Sequence, residues 1–208
     1  KGRAFVRHAN DLGIVIDPSH ASDQALDQML DLSRAPLVLS HSGVKAVYDH
    51  PRNIPDDLLR KLADKGGVIQ VNAFSGYMVE TPRIPERNAA LAALAQKYGP
   101  QRDVKPEQRD AYLAERAAIE AQYPLPRANM DDLMKHILHV VETVGIDHVG
   151  LSGDFDGGGG IEGLEDVTAF PALTARLVAA GFTQDDLDKF WGGNVLRVME
   201  QVQAAATR

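Results

Sequence analysis

The chain has 208 residues, with 22 Lys and Arg against 29 Asp and Glu and a formal charge of −7. That balance, with 44% hydrophobic and 25% charged residues, is the mix of a globular protein and offers no electrostatic footprint for nucleic acid or an anionic membrane surface. There is no cysteine, which excludes disulfide scaffolds, zinc–thiolate sites and cysteine nucleophiles.

No apolar run approaches the roughly 20 residues that cross a bilayer. The opening Lys1-Gly2-Arg3-Ala4-Phe5 lacks the apolar stretch of a signal peptide and does not read as a natural beginning. A soluble protein is expected, with its compartment in a bacterium, cytoplasmic or extracytoplasmic, left open.

The pattern opens on a helix. The first expected strand is Gly13-Ile14-Val15-Ile16-Asp17, an apolar run between glycine and proline. Ser22 caps a helix through about residue 32, with Ala25, Leu26, Met29, Leu30 and Leu32 as its apolar stripe. The second strand is Pro36-Leu37-Val38-Leu39-Ser40. Pro55 then suits a first helical position, Asp56 and Asp57 complement the helix dipole, and Gly66 ends that helix. Val68-Ile69-Gln70-Val71-Asn72 is the third strand.

Residues 81–128 break the rhythm. They are rich in Ala, Arg, Glu and Gln, hold six prolines and no strand pattern, and read as a helical insertion. Asn129 then caps a helix with Leu133, Ile137, Val140, Val141 and Val144 on its inner face. His148-Val149-Gly150-Leu151-Ser152 is the fourth strand, Thr168 and Thr183 open two further helices, and a last helix carries Val195, Val198 and Val202. Near-continuous apolar strands alternating with helices argue an α/β fold with a parallel sheet.

Polar side chains follow each strand: Asp17-Pro18-Ser19-His20, Ser40-His41-Ser42-Gly43, Asn72-Ala73-Phe74 and Gly153-Asp154-Phe155-Asp156-Gly157. Such residues at successive C-terminal strand ends build the active sites of β/α barrels. Neutral imidazoles of His20 and His41 suit a metal ion, although a histidine at a strand end also serves as a hydrogen-bonded structural residue. Asp154 reads equally as a metal-adjacent acid/base or as a loop cap. Arg52 suits a bidentate carboxylate or an ordinary surface position. The glycines from 157 to 160 would cradle an anion with their amides or form a mobile loop. His8, His136, His139 and His148 read as structural or solvated.

Several ordered blocks are more specific. Ile16-Asp17-Pro18-Ser19-His20-Ala21-Ser22, Arg34-Ala35-Pro36 leading to Ser40-His41-Ser42, Pro51-Arg52-Asn53-Ile54-Pro55-Asp56-Asp57, Gly153-Asp154-Phe155-Asp156-Gly157 with Glu162-Gly163-Leu164-Glu165-Asp166, and Gly192-Gly193-Asn194-Val195-Leu196-Arg197-Val198 resemble the membrane (renal) dipeptidase family of zinc dipeptidases. The resemblance implies a (β/α)8 barrel of the TIM type with two zinc ions at its C-terminal mouth and hydrolysis of dipeptides, some with a C-terminal D-residue, by a metal-bridging hydroxide. It implies that His20 and His41 are metal ligands, that Arg52 binds the substrate's terminal carboxylate, that Tyr77 contacts substrate, and that Asp154 handles protons beside the metals and the substrate.

The family's first-strand His-x-Asp pair, bridging glutamate and further substrate-binding histidine have no counterpart here, and Pro18 stands where an aliphatic residue is usual. Setting the insertion aside leaves about 160 residues for repeating units, whereas a β/α barrel takes about 250. The expectation is therefore that residues 1–208 are the C-terminal portion of one barrel domain. They would supply about four strands, with the N-terminal half of the barrel as partner and the isolated chain inactive. A different barrel metallohydrolase (an amidase or lactonase), a non-catalytic binding homologue and a homodimeric assembly stay open.

Overall fold

A computed structural model describes residues 1–207. Strands β1 (Val38–Ser42), β2 (Val68–Asn72) and β3 (Val149–Ser152) pair in the order β1-β2-β3, and both pairings are parallel. Helices α1 (Gly2–Leu12) and α2 (Asp23–Leu32) precede the sheet. Helix α3 (Asp56–Asp64) lies in the connection from β1 to β2. Residues 80–126 form a compact unit of their own, containing α4 (Pro85–Tyr98) and α5 (Arg109–Gln122). Helix α6 (Met130–Val144) leads back into β3, and α7 (Phe170–Ala179), α8 (Gln184–Asp188) and α9 (Asn194–Ala204) follow it.

Side-chain caps set the starts of α2, α6 and α8. The Ser22 side chain accepts the Ala25 amide, and Asn129 and Thr183 each form a reciprocal capping box, with Asp132 and Asp186, so one orphan donor is satisfied at the first terminus and two or more at each of the others. Thr168 does not open its helix. Asp166 accepts the Thr168 amide, and a short 3-10 turn over Val167–Ala169 precedes α7. An Asp two residues upstream is the better acceptor because its carboxylate takes both the amide and the hydroxyl of Thr168.

The sheet is covered on both faces. Val38 and Val68, partners in register, pack with Val198 and Val202 of α9. Leu39 and Ile69, the next partners, belong to the larger core with Leu59 and Leu62 of α3 and Leu133 and Ile137 of α6. This explains why the strands read as apolar runs rather than as alternations. Each fully buried Leu or Ile contributes about 2 kcal/mol relative to exposure.

Four strands were expected, and among the described residues the sheet has three. Residues 13–17 run beside β1, but only the Val38 amide bonds to the Ile16 carbonyl, at 3.2 Å. A parallel bridge at Val38 also needs the amide of residue 18 to return to the Val38 carbonyl. Pro18 has no such amide. One step further on, the Ser40 amide donates to the Asp17 side chain at 3.2 Å instead of to a backbone carbonyl. A proline and a carboxylate thus end the ladder that the apolar run invites.

Candidate active site

Because the strands are parallel, their C-terminal ends lie on one edge of the sheet, and the expected site residues gather there. His41 lies within β1, Tyr77 ends a 3-10 turn over Ser75–Tyr77 just after β2, and Asp154 follows β3 by two residues. His20 sits in a turn closed by the Ala21 amide on the Pro18 carbonyl at 2.8 Å, immediately before the Ser22 cap.

The pairing of β1 and β2 places one extra residue on β1 between Leu39 and Ser42. This bulge leaves the consecutive Ser40 and His41 both partly exposed while Leu39 and Ser42 are buried. A regular strand would send them to opposite faces; a bulge re-aims a side chain. Here it brings His41 Nε2 to 2.8 Å from His20 Nε2, with the ring centroids 4.8 Å apart.

Asp17 organises both histidine segments. Its Oδ1 accepts the Ser19 amide at 3.0 Å, the Ser19 hydroxyl at 2.5 Å and the Ser40 amide at 3.2 Å, and its Oδ2 accepts the Ser40 hydroxyl at 2.5 Å. Desolvation works against the charged carboxylate, but these hydroxyl and amide donors outweigh it and hold Asp17 below its ordinary range. Ser40 Oγ in turn lies 2.7 Å from His41 Nδ1.

Ser19 links this web to Arg52. The Ser19 hydroxyl accepts the His41 amide at 3.2 Å, and the Ser19 carbonyl accepts Arg52 Nε at 3.1 Å. Arg52 Nη1 donates to the Tyr77 hydroxyl at 2.8 Å, whereas Nη2 is buried with no partner. Two of the three guanidinium nitrogens are therefore anchored, and the third is a free buried donor suited to an anionic ligand. Asn53, 1% exposed, donates from Nδ2 to the Tyr48 and Tyr77 carbonyls, both at 2.8 Å, and clamps the Arg52 loop to the Tyr77 turn. His50 lies against Tyr77 with ring centroids 4.8 Å apart; burial, then the Arg52 charge, lowers its pKa.

Asp154 is the one described non-glycine residue with positive φ, +48°, a conformation that Asp tolerates better than most side chains. Its Oδ2 accepts Asn72 Nδ2 at 3.2 Å. Asn72 is fully buried at the end of β2, and its Oδ1 has no partner. The following glycines wrap Asp154 tightly. The Gly157 and Gly159 amides donate to the Asp154 carbonyl at 2.9 and 2.7 Å, and the Gly160 amide to the Ala73 carbonyl at 2.8 Å. A Cβ on Gly159 would lie 2.1 Å from the Gly153 carbonyl oxygen. Three of the four glycine amides are thus spent on backbone carbonyls and do not face an anion.

The structure thus joins His20 to His41, and Arg52 to Tyr77, with Ser19 between the two pairs. It places Asp154 on Asn72 at the end of the neighbouring strand. Asp17, Ser19, Ser40, Asn53 and Asn72, none singled out from sequence, hold these groups in place. Their one sequence signal is that each is a small polar residue at or just beyond an apolar run or a family-like block.

The profile of the membrane dipeptidase family (peptidase family M19) matches residues 1–208. The chain belongs to the membrane dipeptidase family. It is 32% identical over 204 residues to an uncharacterized dipeptidase of Schizosaccharomyces pombe, a match that covers 97% of this chain and 39% of the relative. It is 30% identical to the dipeptidase tcpJ of Claviceps purpurea, again over 39% of the relative and 99% of this chain. The crystal structure of the probable dipeptidase PvdM from Pseudomonas aeruginosa superposes with a TM-score of 0.76 at 37% identity, over 98% of this chain and 54% of that one. A metallo peptidase from Rhodobacter sphaeroides, liganded with a phosphinate mimic of L-Ala-D-Ala, superposes with a TM-score of 0.71 at 26% identity, over 96% of this chain and 46% of that one.

This membrane dipeptidase chain therefore spans about two fifths of the length of the first two relatives and about half of the two solved structures. The metal that the family implies fits the residues present to a limited extent. Two imidazole Nε2 atoms converge, as a pair of ligands to one cation would. Among the described residues, no group of three or more His, Cys, Asp or Glu side chains is placed to hold a metal ion. No described helix is long and apolar enough to cross a membrane.

Proposed function

We propose that the protein is a metal-dependent dipeptidase and that this chain supplies a histidine pair and the receptor for the substrate's terminal carboxylate. The observation that supports this reading is Ser19, whose hydroxyl holds the His41 amide and whose carbonyl holds Arg52 Nε. The two functions share one support.

In this reading His20 and His41 are two ligands of a zinc site holding two ions when complete. Zinc would supply polarisation of the scissile carbonyl and activation of water. Arg52 Nη2 binds the terminal carboxylate, Tyr77 keeps the guanidinium aimed, and Asp154, held by Asn72, passes a proton to the leaving amine. The remaining donors, and the strands that complete a (β/α)8 barrel, would come from residues outside these 208. The length of the relatives supports that part of the proposal. Acceptance of a C-terminal D-residue is supported by the ligand of the Rhodobacter relative.

The test is an assay of the protein at its natural full length on L-Ala-L-Ala, L-Ala-D-Ala and their C-terminal amides, before and after chelation and zinc restoration. Hydrolysis of the free acids, slower cleavage of the amides by at least about tenfold, and loss on chelation are expected. Equal rates on acids and amides, or a preference for lactones or acylated amino acids, would sink the proposal.

A further inference from the structure

We propose that Asp17, acting through Ser40, sets the tautomer of His41 and leaves the lone pair of its Nε2 facing His20. Asp17 is a positioning residue in this account: the side chain between it and the imidazole is Ser40.

The chain of donors can be followed atom by atom. An ionised carboxylate only accepts, and Asp17 is held in that form by the donors already described. At 2.5 Å from Oδ2, the Ser40 hydroxyl therefore spends its one hydrogen on Asp17. Ser40 Oγ is left with lone pairs alone, and His41 Nδ1 lies 2.7 Å away. A contact at that distance needs a proton, which only Nδ1 can supply. With the proton on Nδ1, the neutral ring has a bare Nε2, and that atom is the one 2.8 Å from His20 Nε2. Without a cation, His20 donates to it; with one, the lone pair is already aimed. A metal-binding histidine is commonly fixed in this way by an acceptor on its other nitrogen. Here a hydroxyl relays the effect of a carboxylate two groups away.

The network also decides what Asn at position 17 would do. Two backbone amides, of Ser19 and Ser40, point at the Oδ1 position, so the amide oxygen of Asp17→Asn belongs there. Its nitrogen then faces Ser40 Oγ and donates to it. Ser40 must turn its hydrogen to His41 Nδ1, and the ring proton moves to Nε2. A substitution that preserves shape thus inverts the tautomer and closes the lone pair, the general consequence of replacing an orienting Asp by Asn.

This inference rests on the proposed ligand role of His41 only for its effect on metal binding; the tautomer is read without metal. The experiment is nitrogen-15 NMR of the histidine side chains in the metal-free protein at natural length, with His41 assigned by His41→Gln, alongside zinc titrations. Wild type and Ser40→Thr are expected to carry the His41 proton on Nδ1, Ser40→Ala to lose that preference, and Asp17→Asn to carry it on Nε2. Zinc affinity is expected to fall by about 10–100-fold in Ser40→Ala and Asp17→Asn and to stay near wild type in Ser40→Thr. A wild-type proton on Nε2, or a His41 spectrum unmoved by both Ser40→Ala and Asp17→Asn, overturns the inference. A purely structural role for Asp17 would lower the melting temperature and leave the proton where it was, which also overturns it. If the proton moves as expected while zinc affinity does not, the Asp17 relay stands and the ligand role of His41 fails.

Discussion

Arg52 and Tyr77, the receptor proposed for the terminal carboxylate, are joined by one hydrogen bond: Nη1 donates to the Tyr77 hydroxyl at 2.8 Å, and Nη2 is buried without a partner. A free Nη2 in a buried setting gains a charge-assisted bond when a carboxylate arrives, about 1.5–3 kcal/mol for such a bond. Arg52→Ala should therefore raise KM for a free dipeptide by roughly 10–100-fold. Its effect on the matching dipeptide amide should be much smaller. Lysine does not restore the receptor, because one ammonium cannot hold the Ser19 carbonyl, the Tyr77 hydroxyl and a ligand in a planar fork. Tyr77→Phe removes only the Nη1 acceptor and should cost a few-fold in KM. Steady-state kinetics on the acid and amide pair check all three. An equal loss on acid and amide would assign Arg52 to the scaffold instead.

His20 and His41 meet at Nε2 from two segments that share Asp17. If both are ligands of one ion, neither replaces the other. His20→Ala and His41→Ala should each reduce bound zinc by about one ion per chain and lower kcat by at least about 100-fold. Bound metal measured after dialysis at neutral pH is the check. Full metal content in both variants would leave the pair as an ordinary imidazole hydrogen bond.

What the sequence shows of this fold divides along physical lines. Ser22, Asn129 and Thr183 are visible as caps because a cap acts on an amide two or three residues away. The failed strand at 13–17 is not visible, because its pairing is decided by which residue must return an amide to the Val38 carbonyl, and that residue is Pro18. His20 and His41 stand out as rare side chains after apolar runs. Asp17, Ser40 and Asn72 are common turn formers, and their contacts reach across 23 residues from Asp17 to Ser40 and 82 from Asn72 to Asp154. Nothing local marks such a contact. The bulge that turns His41 toward His20 is equally invisible, since it exists only relative to β2.

Asp154 combines a left-handed backbone, φ +48°, with a carboxylate held by Asn72 at 3.2 Å. Such a conformation persists where the surroundings over-determine it, and here two glycine amides fix its carbonyl. Asp154→Asn keeps a residue that tolerates this conformation and keeps an acceptor for Asn72 Nδ2, so the fold should be retained. It cannot accept a proton at neutral pH, so kcat should fall by about 100-fold or more with KM little changed. Asn72→Ala should leave the carboxylate in place but unanchored and cost about tenfold in kcat. A kcat for Asp154→Asn within a few-fold of wild type would remove Asp154 from the proton pathway.

His136 offers a test that does not depend on activity. It is fully buried on α6, its Nδ1 accepts the Val44 amide at 3.1 Å, and its Nε2 has no partner. Burial pushes its pKa down from 6.5 to about 4; the charges of His139 and Lys135 add to the shift and Asp132 opposes it. Because Nδ1 must accept, a second proton would break the Val44 bond. The unfolded chain takes up that proton near pH 6.5, while the folded chain refuses it until about pH 4. In that window the unfolded state binds more protons, so stability falls as pH falls, by about 3 kcal/mol across the whole window. Above pH 6.5 neither state is protonated and His136 contributes no slope. His136→Gln retains an acceptor for the Val44 amide and cannot titrate, so its denaturation midpoint should be flatter between pH 6.5 and 4 and parallel to wild type at pH 7 and above. Urea unfolding at half-unit intervals from pH 4.5 to 8 reads both limbs, and identical acid limbs in the two proteins would show that another group carries the acid sensitivity.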